Sequence, residues 1–311
     1  MIDISGKIET LRTAIAESRV VAKKETIDRA VRGETPKGDV LNVARAAACL
    51  AAKKTSELIP YCHPLAIDAV SVSFETPPLE IRGGGEELSS LVIRTEVKTV
   101  GRTGVEMEAL TAATIAALTI YDMMKGIDKE VVIGETRLVE KRGGKSDFEE
   151  MFSKPLSAAV LVTSDSVAAG KKSDKSGKII VDAMTRFPVD VRHYEIVPDN
   201  KDEIRGKILG WIEEGIQLIL TTGGTGLGPR DITVETVREI VERDVPGIAE
   251  AMRVYGQRRT PYAMLSRSVV GVRGGTLIMT LPGSSNGVKE GISALFPNVL
   301  HAFKMMRGGG H

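Results

Sequence analysis

The chain has 311 residues, which is long for one hydrophobic core and predicts two domains of about 150 residues each. Lys plus Arg number 42 against 41 Asp plus Glu, a balance that counts against nucleic-acid and membrane-surface proteins, since these usually carry a basic excess. Aromatic residues at 4% disfavour a base-stacking platform, and 2 Cys predict a reducing compartment without a disulfide framework. The N-terminus lacks an apolar signal-like region, and no apolar run is long enough to span a membrane, so we expect a cytoplasmic protein.

The first half of the chain, residues 1–150, predicts an α+β domain. Its segments in chain order are a buried helix at 40–58, strands at 69–76, 79–82 and 91–100 with a hairpin turn at 83–87, a long helix within 104–128, and a strand at 131–141. Hairpins with helices on one side predict a ferredoxin-like antiparallel sheet with helices on one face.

The segment 104–128 carries most of the ionisable groups that suggest a function. Glu106 and Glu108 are two residues apart and share a face if the backbone there is extended. Asp122 and Lys125 are three residues apart, which makes them neighbours on a helix. A single straight helix would separate Glu108 from Asp122 by about 21 Å. Either the strand before the helix folds back, or a site that uses both is shared between subunits.

Residues 145–157 form a polar joint, and the pattern changes after it. Hydrophobic strands at 158–166, 218–226 and 276–287 each run into a polar or Gly-rich loop, and helices follow at 178–187 and 234–244. This order predicts a second domain, 156–311, of α/β class with a doubly wound, mostly parallel sheet. Ligands of such sheets bind outside the carboxyl ends of the strands, where all three loops fall.

The first domain offers groups for anion binding and proton transfer. Lysines near glycines or a helix end suit a polyphosphate, whereas a histidine and carboxylates suit acid/base work. The candidates are Lys37, His63, Glu106, Glu108, Asp122, Lys125 and Lys145. Structural alternatives stay open: His63 would cap a loop, and Asp122 with Lys125 would be a solvated helix pair. The spacing of the carboxylates and His63 matches no standard metal motif.

These residues fall in motifs that resemble a known family. KGDV, LIPYCHPL, TGVEMEALTAA, ALTIYDMMKG and GGKS, in this order, resemble the cyclic pyranopterin monophosphate synthases, the MoaC family, over residues 2–148. The resemblance implies conversion of 3′,8-cyclo-7,8-dihydroguanosine triphosphate, a GTP-derived cyclic nucleotide, to the cyclic pterin precursor of molybdenum cofactor. Pyrophosphate is released, and no tightly bound cofactor is expected.

The same resemblance implies roles for single residues. Asp122 would be the principal acid/base group with Lys125 beside it, while Lys37 and Lys145 would hold the triphosphate or shuttle protons. The substrate-contacting residues would be Tyr61, Cys62, His63, Glu106, Met107 and Glu108, with His63 at the phosphates and Glu106 on the same strand face as Glu108. Family members are hexamers with sites at subunit interfaces. Many relatives carry histidines where this chain has Glu34, Thr35 and Pro36, which predicts weaker binding if those histidines contact substrate.

In the second half, residues 221–233 leave a strand and enter a helix with four glycines. Glycines let backbone N–H groups approach an anion, and a helix N-terminus favours negative charge. The loop is neither a Walker nor a dinucleotide motif, and a tight structural turn is equally favoured, with Asp231 serving the turn and Thr233 capping the helix. Asp199 also suits a turn. Alternatively, Asp199 and Asp231 would hold Mg²⁺.

A second resemblance covers residues 156–306. SDS, DKSG, VPDN, TTGGTGLGPRDIT, PGIAEAMR, MLSRSVVG and LPGS are similar to the molybdopterin adenylyltransferase group, MogA and MoaB. The resemblance implies activation of molybdopterin by ATP, as cosubstrate, and Mg²⁺, with Asp199 and Asp231 as the reactive pair. The other implied contacts are Ser164, Asp165, Asp174, Ser176, Gly223, Gly224, Thr225, Gly226, Ser266, Pro282, Gly283 and Ser284.

The sequence therefore predicts a bifunctional enzyme of molybdenum cofactor biosynthesis that acts at an early and a late step. Its partners would be two small-molecule substrates, the cyclic nucleotide and molybdopterin, with neither nucleic acid nor membrane. A homo-oligomer, hexamer or trimer, is expected around a common threefold axis. Two alternatives remain: the second domain is a non-catalytic pterin-binding or oligomerising module, or the whole chain is a nucleotide-responsive regulator.

Overall fold

The computed structural model describes residues 1–77, 87–148 and 150–309. The chain separates into two compact units, Met1–Asp147 and Phe148–His311. Their boundary falls inside the polar segment 145–157, where the sequence places the joint. Each unit has its own hydrophobic core and is described by itself.

The first unit is a four-stranded antiparallel sheet with strand order β2-β3-β1-β4. Its elements are β1 (Thr10–Lys23), α1 (Lys24–Val31), α2 (Val40–Lys53), α3 (Thr55–Leu58), β2 (Ala69–Glu75), β3 (Leu88–Gly101), α4 (Glu106–Met124) and β4 (Val132–Arg142). Helices α2 and α4 pack together and cover the sheet. This arrangement confirms the predicted ferredoxin-like fold.

Small residues bring α4 close to the sheet. Ala14 and Ala16 of β1 are fully buried, as are Ala109, Ala113 and Ala116 of α4. The predicted helix at 40–58 is interrupted at Lys54, between α2 and α3. The predicted strand at 79–82 and most of the turn at 83–87 lie outside the described residues.

The start of α4 corrects one prediction. Glu106 and Glu108 lie in the first turn of this helix, not on an extended strand, so their predicted shared face is wrong. Side chains two residues apart on a helix point about 200° apart. Glu108 is accordingly 2% exposed and enters the core, whereas the side chain of Glu106 is 31% exposed. Glu108 and Asp122 therefore stand on one continuous helix, about 21 Å apart along its axis.

The second unit is a six-stranded sheet with order β6-β5-β7-β10-β9-β8. Its elements are β5 (Leu156–Thr163), α5 (Asp165–Ala168), α6 (Ser176–Met184), β6 (Val189–Val197), α7 (Lys201–Glu213), β7 (Leu218–Thr222), α8 (Thr233–Ile240), β8 (Arg243–Asp244), α9 (Pro246–Gln257), β9 (Val270–Arg273), β10 (Thr276–Leu281), α10 (Ser285–Leu295) and α11 (Ala302–Met306). Strands β6, β5, β7 and β10 are parallel, and β9 and β8 continue antiparallel. The predicted mostly parallel sheet is confirmed.

Strand β5 is buried on both faces, as expected for a central parallel strand. Ala158 and Val160 enter one core, and Ala159 and Leu161 enter the other. Helices therefore cover both faces, and the loops after β5, β7 and β10 follow the carboxyl ends of neighbouring parallel strands. Among the described residues, Cys49 and Cys62 are both free thiols, and none of the helices has the length and hydropathy to cross a membrane.

Candidate functional site

Three predicted residues of the first unit meet at the C-terminal end of α4. The Nζ of Lys37 donates to Oδ2 of Asp122 at 2.7 Å and to its backbone carbonyl at 2.8 Å. The Nζ of Lys125 lies 2.7 Å from Oδ1 of the same carboxylate. Hydrogen bonds from Lys125 and then Lys37 lower the pKa of Asp122 to about 2. The carboxylate is exposed and ionised, with one ammonium on each oxygen.

Two other predicted residues, Cys62 and Glu108, meet at the N-terminal end of α4. The Sγ of Cys62 donates to Oε1 of Glu108 at 3.5 Å. The Oε2 of Glu108 is buried and has no hydrogen-bond partner among the described residues. Burial raises the pKa of Glu108, and burial together with this carboxylate raises the pKa of Cys62 to about 11. An orphaned buried acceptor is costly unless a ligand satisfies it, so Glu108 is a candidate for binding a polar substrate group.

Tyr61, His63 and Met107 are next to Cys62 or Glu108 in the chain. Tyr61 is 79% exposed and Met107 is 39% exposed. The Nε2 of His63 donates to the carbonyl of Ile2 at 2.9 Å, which ties down the N-terminal segment. Lys145 begins a short 3-10 turn, and its side chain lies outside the described part of the structure.

Sequence reasoning missed a cation-lined cavity of about 330 Å³ in the first unit. Its charged lining residues are Lys7, Arg12, Arg102, Glu106, Lys141, Arg142 and Asp147, so five cations face two carboxylates. Arg12 is 8% exposed, and its Nε donates to the carbonyl of Gly101 at 3.3 Å. Burial lowers the pKa of this guanidinium, although the carboxylates of Glu106 and Asp147 oppose that shift. Arg102 and Arg142 also pair with Glu9 and Glu140, which are outside the lining, so the excess of positive charge is smaller but remains, and it makes the cavity suited to a polyphosphate.

Glycines shape the walls of this cavity. A Cβ on Gly104 would lie 1.9 Å from Oε2 of Glu106, so a larger residue there would displace this carboxylate from its present position. Gly143 has φ +96°, and a Cβ there would lie 1.8 Å from the carbonyl of Leu11. Asp147 accepts from the amide of Gly143 at 2.6 Å. The GGKS segment, which contains the predicted phosphate-binding Lys145, therefore borders the cavity through its backbone at Gly144.

The glycine loop of the second unit follows β7 and packs against the end of β5. Gly223 and Gly224 have φ +101° and +60°. A Cβ on Gly223 would lie 2.1 Å from the carbonyl of Thr163, and one on Gly224 would lie 2.2 Å from Oγ1 of Thr233. Thr233 is the first residue of α8 and bonds to the hydroxyl of Thr163 at 2.9 Å, so its predicted role as a cap is wrong.

An aspartate pair lies beside this loop. The amide of Asp165 donates to Oδ2 of Asp199 at 3.2 Å, and the amide of Asp199 donates to Oδ1 of Asp165 at 2.9 Å. Arg230 donates to the other oxygen of Asp165 at 2.7 Å. The Oδ1 of Asp199 is buried and has no partner among the described residues. Burial, with the charges of Asp165 and Asp231, raises the pKa of Asp199.

Asp231 serves the turn, as the structural alternative predicted, because its Oδ2 accepts from the amide of Gly228 at 2.7 Å. Arg267, which the sequence did not single out, fixes the same loop. Its Nε donates to the carbonyl of Gly226 at 2.7 Å, and its Nη2 donates to the carbonyl of Asp231 at 2.6 Å. The neighbouring Ser266 shares a hydroxyl bond of 2.9 Å with Ser268. Arg267 precedes β9, so only the tertiary fold brings it to the loop.

A cavity of about 650 Å³ opens beside the loop, a size typical of ligand pockets. The predicted residues that line it are Gly224, Thr225, Gly226, Asp231, Ser266, Pro282, Gly283 and Ser284. Ser284 caps α10, its Oγ accepting from the amide of Gly287 at 3.1 Å. Ser164, which caps α5, and the pair Asp165 and Asp199 are outside this lining.

Asp174 and Ser176 are also outside the cavity. The carboxylate of Asp174 accepts from the hydroxyls of Tyr194 at 2.6 Å and Ser176 at 3.1 Å. It also accepts from the backbone amides of Gly177 at 3.1 Å and Lys178 at 3.0 Å. These bonds satisfy it within the start of α6. The predicted contact of Asp174 and Ser176 with substrate stays a prediction.

Known protein families match both units. The MoaC family model matches residues 1–144, and a model described as a probable molybdopterin binding domain matches residues 159–302. A molybdenum cofactor biosynthesis bifunctional protein of Chlorobaculum tepidum is 43% identical over 311 residues, covering 100% of this chain and 96% of the relative. A protein of the same description from Synechococcus elongatus is 37% identical over 322 residues, covering 100% and 98%. A cyclic pyranopterin monophosphate synthase of Bacillus thuringiensis is 53% identical over 146 residues, covering 47% and 87%.

The two units thus define a fusion of a MoaC-family domain with a molybdopterin-binding-type domain. The chain belongs to the family of molybdenum cofactor biosynthesis bifunctional proteins, because the similarity to such relatives extends over its whole length.

Proposed function

We propose that the first unit is a cyclic pyranopterin monophosphate synthase that acts on 3′,8-cyclo-7,8-dihydroguanosine triphosphate and releases pyrophosphate. The observation that carries this proposal is the Asp122 carboxylate held between Lys37 and Lys125. Formation of a cyclic monophosphate requires a substrate hydroxyl to attack the α-phosphorus while the bond to the leaving pyrophosphate breaks. The cluster offers a carboxylate to take protons and ammoniums to give them.

The cation-lined cavity supports the triphosphate part of the proposal. Arg12, Lys7 and Arg102 would neutralise the charge that grows on the leaving pyrophosphate. Glu106 lines this cavity and Asp122 lies 16 residues later on the same helix, about 24 Å along its axis. One substrate does not reach both from a single chain. We therefore propose that subunits of a homo-oligomer share each site.

A synthase assay tests this function. Purified protein is incubated with the cyclic triphosphate, and pyrophosphate and cyclic pterin are both measured. Asp122→Asn should abolish both products, whereas Glu130→Gln, the same loss of a charge at an exposed turn position, should leave them unchanged. Full turnover by Asp122→Asn would remove the cluster from the reaction.

We propose that the second unit adenylylates molybdopterin with ATP. The observation that carries this proposal is the buried, unpartnered Oδ1 of Asp199 beside the glycine loop. A carboxylate oxygen is the type of ligand that Mg²⁺ prefers. No cluster of three or more His, Cys, Asp or Glu within residues 1–77, 87–148 and 150–309 is arranged to hold a metal, so substrate phosphates would complete the coordination. When bound, Mg²⁺ would neutralise phosphate charge, with Asp199 and Asp231 as its protein ligands.

The chain's own residues would position the reactants. The positive φ of Gly223 and Gly224 permits the loop to approach an anionic group closely, and Arg267 fixes that loop. Incubation of the intact protein with molybdopterin, ATP and Mg²⁺ tests the proposal. Adenylyl-molybdopterin with pyrophosphate is expected. Bound molybdopterin without product would leave this unit as a pterin-binding module.

A further inference from the structure

One carboxylate in the cavity beside the glycine loop of the second unit makes no contact that stabilises the fold. Glu290 lies on α10, is half-buried and lines the cavity of about 650 Å³. Across the described ranges of the chain, it has neither a hydrogen-bond nor an ion-pair partner. Other charged lining groups are engaged: Asp231 accepts from Gly228, Arg253 donates to the carbonyl of Ser268 at 3.0 Å, and Arg259 donates to the carbonyl of Tyr255 at 2.7 Å. An unpaired carboxylate in a ligand-sized cavity indicates a ligand that supplies donors.

Small residues keep the space around this carboxylate open. A Cβ on Gly256 of α9 would lie 3.8 Å from Oε2 of Glu290 and 2.9 Å from the Cβ of Ala263. A Cβ on Gly291 would lie 2.9 Å from the Sδ of Met252. The glycines let α9, α10 and the Pro261–Leu265 turn approach one another without side chains entering the cavity there.

The cavity has two ends of different electrostatic character. At one end are the glycine loop and the start of α10, where Ser284 caps the helix and backbone N–H groups favour an anion. Glu290 follows Ser284 by six residues, about 9 Å along the helix axis. Asp231 at the loop end and Glu290 at the other end are both carboxylates, but the loop end adds backbone N–H groups, so an anionic tail is favoured at the loop. The opposite end of the ligand then faces Glu290.

A pterin linked to an anionic tail meets both requirements. Its 2-amino group and the adjacent ring N3–H are two neighbouring donors, and a carboxylate offers two acceptor oxygens at matching spacing. Resting on the proposed molybdopterin-binding function of this unit, we propose that Glu290 selects the pterin ring by accepting N2–H and N3–H. The anionic tail lies at the glycine loop. Glu290 is thus a specificity-determining residue and takes no part in bond breaking.

Exchange of one carboxylate oxygen for an amide tests this assignment. In Glu290→Gln the side chain has one acceptor and one donor, which matches a lumazine, where a carbonyl replaces the 2-amino group. The intact protein is titrated with molybdopterin, which is then displaced by 6-hydroxymethylpterin phosphate or by the corresponding lumazine. Glu250→Gln, an exposed position on α9 outside the cavity, is the matched control.

Wild type and Glu250→Gln should prefer the pterin over the lumazine by at least about tenfold, as a hydrogen bond to a charged group implies. Glu290→Gln should reverse or abolish that preference. An unchanged preference in Glu290→Gln, or no preference in wild type, would overturn the assignment while leaving the function of the unit intact. No binding of molybdopterin to the wild type would overturn that proposed function and the assignment with it.

Discussion

Lys37 donates to both the side chain and the backbone of Asp122, at 2.7 Å to Oδ2 and 2.8 Å to the carbonyl oxygen, although 85 residues separate the two. This double contact links the turn before α2 to the end of α4. It leaves the second ammonium, that of Lys125, on the other carboxylate oxygen. The cluster therefore holds an ionised acid between two proton donors.

The pKa of Asp122 is the first testable consequence. It should titrate at about 2, below the usual value of 3.8, because both ammoniums favour the ionised form. A depressed acid pKa stabilises the fold above the usual value, and that stabilisation is lost as the pH falls through about 2. In Lys125→Met the pKa should rise towards 3.8, since the Lys125 hydrogen bond is its largest cause. Carboxyl NMR titration measures both; a wild-type pKa near 3.8 would refute the ionised cluster.

The cation-lined cavity predicts a pyrophosphate phenotype. Arg12→Met should weaken competitive inhibition of the synthase by pyrophosphate at least about tenfold, because it removes a buried charged donor. Arg137→Met on β4, whose side chain is 61% exposed, is the control and should behave like wild type. Lys141→Met removes a second cavity cation, whose side chain is 65% exposed. It should also weaken inhibition by pyrophosphate, but by less than Arg12→Met does. Unchanged inhibition in both cavity variants would exclude this cavity as the phosphate site.

The fold and the contact between Asp122 and Lys125 could be predicted from the sequence, whereas the cation-lined cavity could not. Strand β1 went unpredicted because its inward residues, Ala14, Ala16, Ser18, Val20 and Ala22, are mostly small and weakly hydrophobic. Alternation of burial is regular there, but hydropathy barely alternates. Arg12 lies on that strand, so its burial could not be inferred.

The wrong prediction for Glu106 and Glu108 has a different cause. The sequence predicts a helix within 104–128, and the shared face of Glu106 and Glu108 requires extended backbone before it. The helix starts at Glu106 without a side-chain cap from Val105, so no capping residue marked it. The helical spacing of Asp122 and Lys125 correctly predicts their contact, whereas no local pattern links Lys37 to Asp122, and only the structure brings these two together.

The buried carboxylate of Glu108 lowers the stability of the first unit at neutral pH. Burial raises its pKa, so the folded state is destabilised as the pH rises from the usual value of 4.5 through the raised one. Glu108→Gln should therefore raise the melting temperature of the first unit at neutral pH by about 4 °C for each ~1 kcal/mol gained. The difference from wild type should vanish below pH 4. A melting temperature lowered by the substitution, measured by calorimetry across this range, would contradict the raised pKa.

The glycine loop permits a matched comparison of strain and clash. Gly223 and Gly215 both have positive φ, +101° and +84°, but only Gly223 has a carbonyl within 2.1 Å of the position of a Cβ. Gly215→Ala should cost about 1 kcal/mol through backbone strain alone. Gly223→Ala should abolish adenylylation. It should also lower the free energy of unfolding by more than Gly215→Ala does, because the Thr163 carbonyl must move. Equal unfolding free energies for the two variants, from denaturant titration, would show that the loop is not tightly packed.

A substitution at Asp231 separates the two activities that we propose for this one chain. Its carboxylate oxygen accepts from Gly228, a bond that Asp231→Asn can retain. Intact wild type, Asp231→Asn and the exposed control Asp182→Asn are each assayed with molybdopterin, ATP and Mg²⁺, and separately with the cyclic triphosphate. Asp231→Asn should lose only the formation of adenylyl-molybdopterin and should keep molybdopterin binding and synthase activity. Wild-type protein that binds molybdopterin and forms no adenylyl product would contradict the proposal of two activities.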